Sequence, residues 1–139
     1  MNKIDVIKII KNNYIGEITN IFSNYGSLME IDFSNDKKIF IYMCDWSICH
    51  KSREILNSSD DRTKFPGIFN LLIHNRVQIK DFCFTSQNHE FLFYLSNDYL
   101  IKLFPNNDYS ISDDMILFFK GNNVVLCYNI QKGFYIENE

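Results

Sequence analysis

Apolar positions recur at two different periods along this chain, and the change of period organises it. Over Lys3 to Asn12, Ile4, Ile7 and Ile10 fall three apart, Val6 and Ile9 widen the stripe, and Asp5, Lys8 and Lys11 fall elsewhere. This spacing predicts an amphipathic helix that packs on a sheet. Asp5 in its first turn and Lys8 and Lys11 later suit the helix dipole, and Asn12 and Asn13 supply a stop.

From Tyr14 onward the period becomes two. Ile18, Thr19, Ile21 and Phe22 lead into Asn24-Tyr25-Gly26, after which Leu28, Glu30 and Asp32 alternate with Met29, Ile31 and Phe33, which predicts a hairpin with one polar face. Beyond Asn35-Asp36-Lys37-Lys38, the nearly continuous apolar run Ile39 to Cys44 predicts a central strand buried on both faces. Asp45 to His50 and Glu54 to Leu56 read as two short strands around Lys51-Ser52-Arg53, completing a first meander. Ser58 to Asp61 is a polar break. Pro66 then opens a short helix carrying Ile68, Phe69, Leu72 and Ile73.

A second meander follows, with strands at Val77 to Thr85, Phe91 to Ser96 and Tyr99 to Phe104, joined by Gln87-Asn88-His89 and the tight turn Asn97-Asp98. After Pro105-Asn106-Asn107 come runs at Met115 to Phe119, Val124 to Asn129 and Phe134 to Ile136, separated by Gly121-Asn122-Asn123 and Lys132-Gly133. The pattern predicts an α+β fold: an N-terminal helix plus two antiparallel β-meanders packed as a sandwich or a curved sheet. No linker composition divides the chain, so residues 1–139 read as one domain.

Composition agrees with a β-rich domain. The chain is 46% hydrophobic and 16% aromatic, with 13 Phe, 8 Tyr, 20 Ile and 17 Asn. Its formal net charge is −3, and its 14 Lys and Arg are scattered without a run, which argues against direct nucleic-acid binding. Charged residues interrupt the first dozen positions, and no window approaches the roughly 18 apolar residues of a membrane span. The expectation is a cytoplasmic protein without membrane contact. In that compartment Cys44, Cys49, Cys83 and Cys127 read as reduced residues of the core.

Templates for chemistry do not match. The five glycines stand singly, without a phosphate-binding loop, and no Gly-x-Ser-x-Gly or His-Glu-x-x-His pattern occurs. Cys44, Cys49 and His50 lack the second ligand pair of a zinc site. Cys49 and His50, adjacent on a strand, face opposite ways and cannot act as nucleophile and base. His74 and His89 fall in polar turns, and Trp46 reads as a core anchor. Neither an enzyme nor a cofactor is expected.

The segments Tyr14-Ile15-Gly16-Glu17-Ile18-Thr19-Asn20-Ile21, Leu28 to Phe33, Trp46-Ser47-Ile48 and Glu54 to Asp61 occur in an order that resembles a group of small bacterial proteins. That group is similar to the immunity proteins of polymorphic toxin and contact-dependent growth inhibition systems. A later hairpin, Phe91 to Leu95 and Tyr99 to Phe104, closes on Phe-Pro as in the group. The resemblance implies a protein that binds a cognate toxin domain, here expected to be a nuclease, and covers its active site. It transfers no binding residues. Because a nuclease groove is basic, the expected contacts are carboxylates: Glu30 and Asp32 on the polar strand face, Asp60 and Asp61 in the central loop, and Asp108, Asp113 and Asp114 in the later one. A second expectation, a small-molecule or peptide sensor, places an aromatic pocket between the meanders. An exposed strand edge leaves homo-oligomer formation open.

Overall fold

The computed structural model describes residues 2–23, 28–85, 87–106 and 109–137. The predicted turn at Asn24-Tyr25-Gly26, together with Asn107 and Asp108, lies outside them. The elements run α1 (Lys3–Asn13), β1 (Ile18–Phe22), β2 (Leu28–Phe33), β3 (Lys37–Tyr42), β4 (Cys44–His50), β5 (Arg53–Asn57), α2 (Phe65–His74), β6 (Ile79–Thr85), β7 (Glu90–Leu95), β8 (Tyr99–Pro105), β9 (Ile116–Lys120), β10 (Asn123–Asn129) and β11 (Gly133–Tyr135). One sheet has the order β1-β2-β3-β9-β10-β11 and the other β5-β4-β8-β7-β6, with antiparallel neighbours throughout. The fold is α+β and mostly β, as the pattern predicts.

The first meander is split, however. β3 pairs with β2 and β9, whereas β4 pairs with β5 and β8, so the chain changes sheets at Met43. Met43 has φ 56, a left-handed conformation that turns the strand sharply. The expected burial of both faces of Ile39–Cys44 is also corrected. Ile39 and Ile41 are fully buried, but Phe40 is half-buried and Tyr42 exposed, so the outer face of β3 is left partly open among the described residues. Phe40 and Tyr42 instead stack on one another, with centroids 6.5 Å apart.

One hydrophobic cluster joins the inner faces of the sheets, including Ile31, Ile39 and Phe118 from one and Trp46, Phe93 and Leu103 from the other. Aromatic edges interlock across it. Phe91 of β7 meets Tyr128 of β10 at 4.7 Å, and Phe84 of β6 meets Phe134 of β11 at 4.9 Å, both T-shaped, which sets ring edges against ring faces.

The helices close the sides. Asn2 caps α1 by accepting the Asp5 N–H at 2.9 Å, and Val6 and Ile10 drive its buried stripe against β6. Tyr14, just past the helix, is fully buried between Phe33 and Phe118 and donates its hydroxyl to the Phe119 carbonyl at 3.1 Å. Pro66 begins α2, which presses Phe65, Phe69 and Leu72 towards β1 and β5. Phe65 and Phe69 hold Trp46, so the predicted core role of the single tryptophan is observed.

Candidate functional site

Alternation along each strand fixes which side chains leave the core. On the six-stranded sheet the outward row runs Phe22–Glu30–Phe40–Leu117–Cys127–Tyr135 across all six strands. The next row places Asp32 between Asn20 and Lys38. Glu30 and Asp32 therefore share one face, two residues apart. Burial chiefly pushes the Glu30 carboxyl up to about 7, a hydrogen bond with Asp32 and that residue's like charge add to it, and Lys38 opposes the rise. Asp32 Oδ1 is buried without a donor among the described residues.

Asp113 and Asp114 precede β9. The Asp113 N–H donates to the Ser110 carbonyl at 3.0 Å in a turn. Asp114 Oδ1 accepts the Tyr135 hydroxyl at 2.6 Å and the Asn129 Nδ2 at 3.1 Å, tying the loop to β10 and β11. Beside it the Cys127 thiol is 3.8 Å from Glu137 Oε2 and is pushed up to about 11, mainly by burial. It stays protonated at neutral pH and is a poor nucleophile. Burial and the bond to Asp114 likewise hold the Tyr135 phenol above its ordinary range.

Asp60 and Asp61 perform local work in the loop after β5. Asp60 Oδ2 accepts the Asn57 N–H at 2.9 Å. Asp61 Oδ1 accepts the Thr63 N–H at 3.0 Å and the Thr63 hydroxyl at 2.9 Å, capping the one-turn helix Arg62–Lys64, and these bonds hold its carboxyl below the usual range. Asp108 lies outside the described residues. The described acids thus fall into three places rather than one patch. Glu30 on the second strand and Asp114, bonded to the sixth, are about 19 Å apart at roughly 4.8 Å per strand.

A different group of carboxylates is brought together on the outer face of the five-stranded sheet. Asp45 and Ser47 of β4, Glu54 of β5, Glu90 of β7, and Lys102 and Phe104 of β8 line one depression of about 440 Å³. Register explains it: Ser47 stands between Asn57 and Lys102, and Asp45 faces Phe104. Ser47 is only 5% exposed, and its hydroxyl has no hydrogen-bond partner among the described residues. Lys102 forms no ion pair among them either. Sequence reading missed these acids because alternation reveals that Asp45 and Ser47 point away from Trp46 and Ile48, but not which distant strand lies alongside.

The histidines stay apart. His50 stacks on Tyr99 at 4.3 Å, and His89 Nδ1 meets the Tyr128 hydroxyl at 2.5 Å. His74 ends α2, so it belongs to a helix and not to the expected turn. No group of three His, Cys, Asp or Glu with ligating geometry occurs among the described residues. All four cysteines are free thiols, and Cys83 alone is half-exposed. A further groove of about 550 Å³ runs between β1 and α2, lined by Phe22, Arg62, Phe65 and Phe69 among others.

No family model, curated protein or solved structure matches this chain. Function therefore rests on the geometry above. No helix among the described residues is long and apolar enough to cross a membrane.

Proposed function

We propose that this protein is an immunity protein that binds a cognate toxin domain, a nuclease, and neutralises it by covering its active site. The supporting observation is where the carboxylates stand: they are displayed on the outer sheet faces and loops, over an interior filled by interlocking apolar side chains. Such a surface suits recognition of a basic groove, since complementary charge speeds encounter and excludes wrong partners. A stable complex with the toxin encoded beside it, and loss of that toxin's nuclease activity on mixing, is the expected result. Charge reversal at Glu30, Asp32, Asp60, Asp61, Asp108, Asp113 and Asp114, one at a time, maps the contact; seven variants of unchanged affinity would remove these residues from it.

The groove between β1 and α2 supports a second reading, a sensor for a small apolar ligand or peptide, because three aromatic rings line it. Replacing Arg62, an exposed residue of the groove wall, in Arg62→Ala would then change ligand affinity and leave toxin binding untouched. A protein that binds neither toxin nor any ligand in that groove would fit neither reading.

A further inference from the structure

The outer face of the six-stranded sheet carries a pattern complementary to itself. Phe22 of β1, Leu28 of β2, Phe40 and Tyr42 of β3, and Leu117 and Phe119 of β9 share it; Phe22 is 37% and Tyr42 42% exposed, and the other four are half-buried. Single exposed apolar side chains are ordinary, but a contiguous set on one face marks an interaction site. At β10 the face is already covered: Cys127 and Asn129 are almost completely buried, beside Glu137 and Asp114. The open strands are therefore β1, β2, β3 and β9, and their midline runs between β2 and β3. Across that midline Asp32 and Lys38 stand directly opposite one another, yet they form no ion pair among the described residues.

We infer that this face packs on the same face of a second copy of the chain, related by a two-fold axis along the β2–β3 midline. That axis sets Asp32 of each copy over Lys38 of the other, which gives two intermolecular ion pairs. It also sets Leu28 over Tyr42 and Phe22 over Leu117, apolar on apolar. Sheets packed face to face keep their strands within about 30° of one another, so levels stay matched near the axis. Glu30 falls against Phe40 of the second copy. Burial chiefly pushes the Glu30 carboxyl up to about 7, so covering it costs less than covering a carboxylate of ordinary acidity. One cation, one anion and one nearly neutral acid leave little net charge on the face. That balance suits a matching face, whereas a nucleic acid or an anionic lipid surface requires a strongly basic one. The inference goes beyond the toxin-binding reading and does not rest on it; a toxin that contacts Glu30 and Asp32 would have to displace the second copy.

Sedimentation equilibrium of the full chain tests this. The average mass should climb from monomer towards dimer with concentration, half-way by about 100 µM, since four short strands make a small interface. Asp32→Lys and Lys38→Asp should each weaken dimerisation by at least about tenfold, because each sets like charges together across the axis. An equimolar mixture of the two variants should dimerise at least as tightly as wild type, since every facing pair is then opposite in sign. Pairing of Asp32 with Lys38 inside one chain cannot produce that restoration. Tyr94→Ser, at an exposed position on the outer face of the five-stranded sheet, should leave the dimer unchanged. Should a charge variant lose its circular-dichroism signal, Tyr42→Asp, also at an exposed position, should abolish dimerisation in its place. A chain still monomeric at about 500 µM, Asp32, Lys38 or Tyr42 variants that dimerise like wild type, a mixture that stays monomeric, or a dimer broken by Tyr94→Ser would overturn the inference. No toxin enters the measurement, so its outcome leaves the immunity reading untouched.

Discussion

The indole of Trp46 meets the ring of Phe65 edge to face, with centroids 5.0 Å apart, and this contact pins α2 to β4. Trp46 is fully buried, and its Nε1 has no partner among the described residues, so packing alone holds it. Trp46→Ala should cost about 3–5 kcal/mol through the cavity left behind. Trp46→Phe keeps much of the ring and removes the unpaired N–H, so it should cost less than half as much. Urea denaturation followed by circular dichroism separates the two.

Stability should fall as pH rises through neutrality, and Glu30 should carry part of that fall. Its carboxyl is raised from an ordinary 4.5 to about 7, so the folded chain holds a proton that the unfolded chain has already released. The contribution is therefore complete below pH 4.5, is lost progressively between pH 4.5 and about 7, and stays lost above that. Glu30→Gln should track wild type near pH 4, gain on it between pH 4.5 and 7, and keep a constant advantage above that. Asp32→Asn should lower the Glu30 titration midpoint, read directly from its side-chain carboxyl carbon by NMR.

The β4–β5 turn offers a stabilising change. Lys51 and Ser52 both have positive φ, 51° and 66°, a pair of left-handed residues that favours Asn-Gly. Lys51→Asn together with Ser52→Gly should raise stability by about 1 kcal/mol, by relieving Cβ crowding at both positions. A higher Tm with an unchanged urea m-value would establish this.

Asn129 organises the last hairpin. Its Oδ1 accepts the Lys132 N–H at 2.7 Å, its Nδ2 donates to Asp114 at 3.1 Å, and it is almost completely buried. Asn129→Ala leaves the Lys132 N–H without its acceptor and Asp114 Oδ1 with the Tyr135 hydroxyl alone, and should cost about 1–2 kcal/mol. Amide hydrogen exchange at Phe134 and Tyr135 should accelerate more than at Ile39, since the loss is local to β11.

Much of the fold was legible from periodicity. The N-terminal helix, the alternation of Leu28 to Phe33 and the Pro66 helix start each express a local rule that the structure obeys, although α1 buries Val6 and Ile10 and leaves Ile4 of the expected stripe 66% exposed. Pairing was not legible, because alternation assigns a residue to a face without naming its neighbour. Nothing near Tyr42 says that the chain will leave one sheet for the other at Met43. The same gap hid Asp45, Glu54 and Glu90, which come together only once β4 lies between β5 and β8 and β8 beside β7. The acids chosen from sequence were conspicuous as neighbours in the chain, and Asp60 and Asp61 turned out to cap their own loop.

The partnership of β3 with β9 has a consequence for how the chain comes into being. Ile39 and Ile41 lie opposite Phe118 and Ile116, residues translated long after β3 has been made. At synthesis rates of roughly 5–20 residues per second, the nascent β3 spends several seconds as an open edge that invites association with another nascent chain. A polypeptide halted before Ile116 keeps that edge permanently, so truncation there should send the product into inclusion bodies rather than yield a smaller working domain.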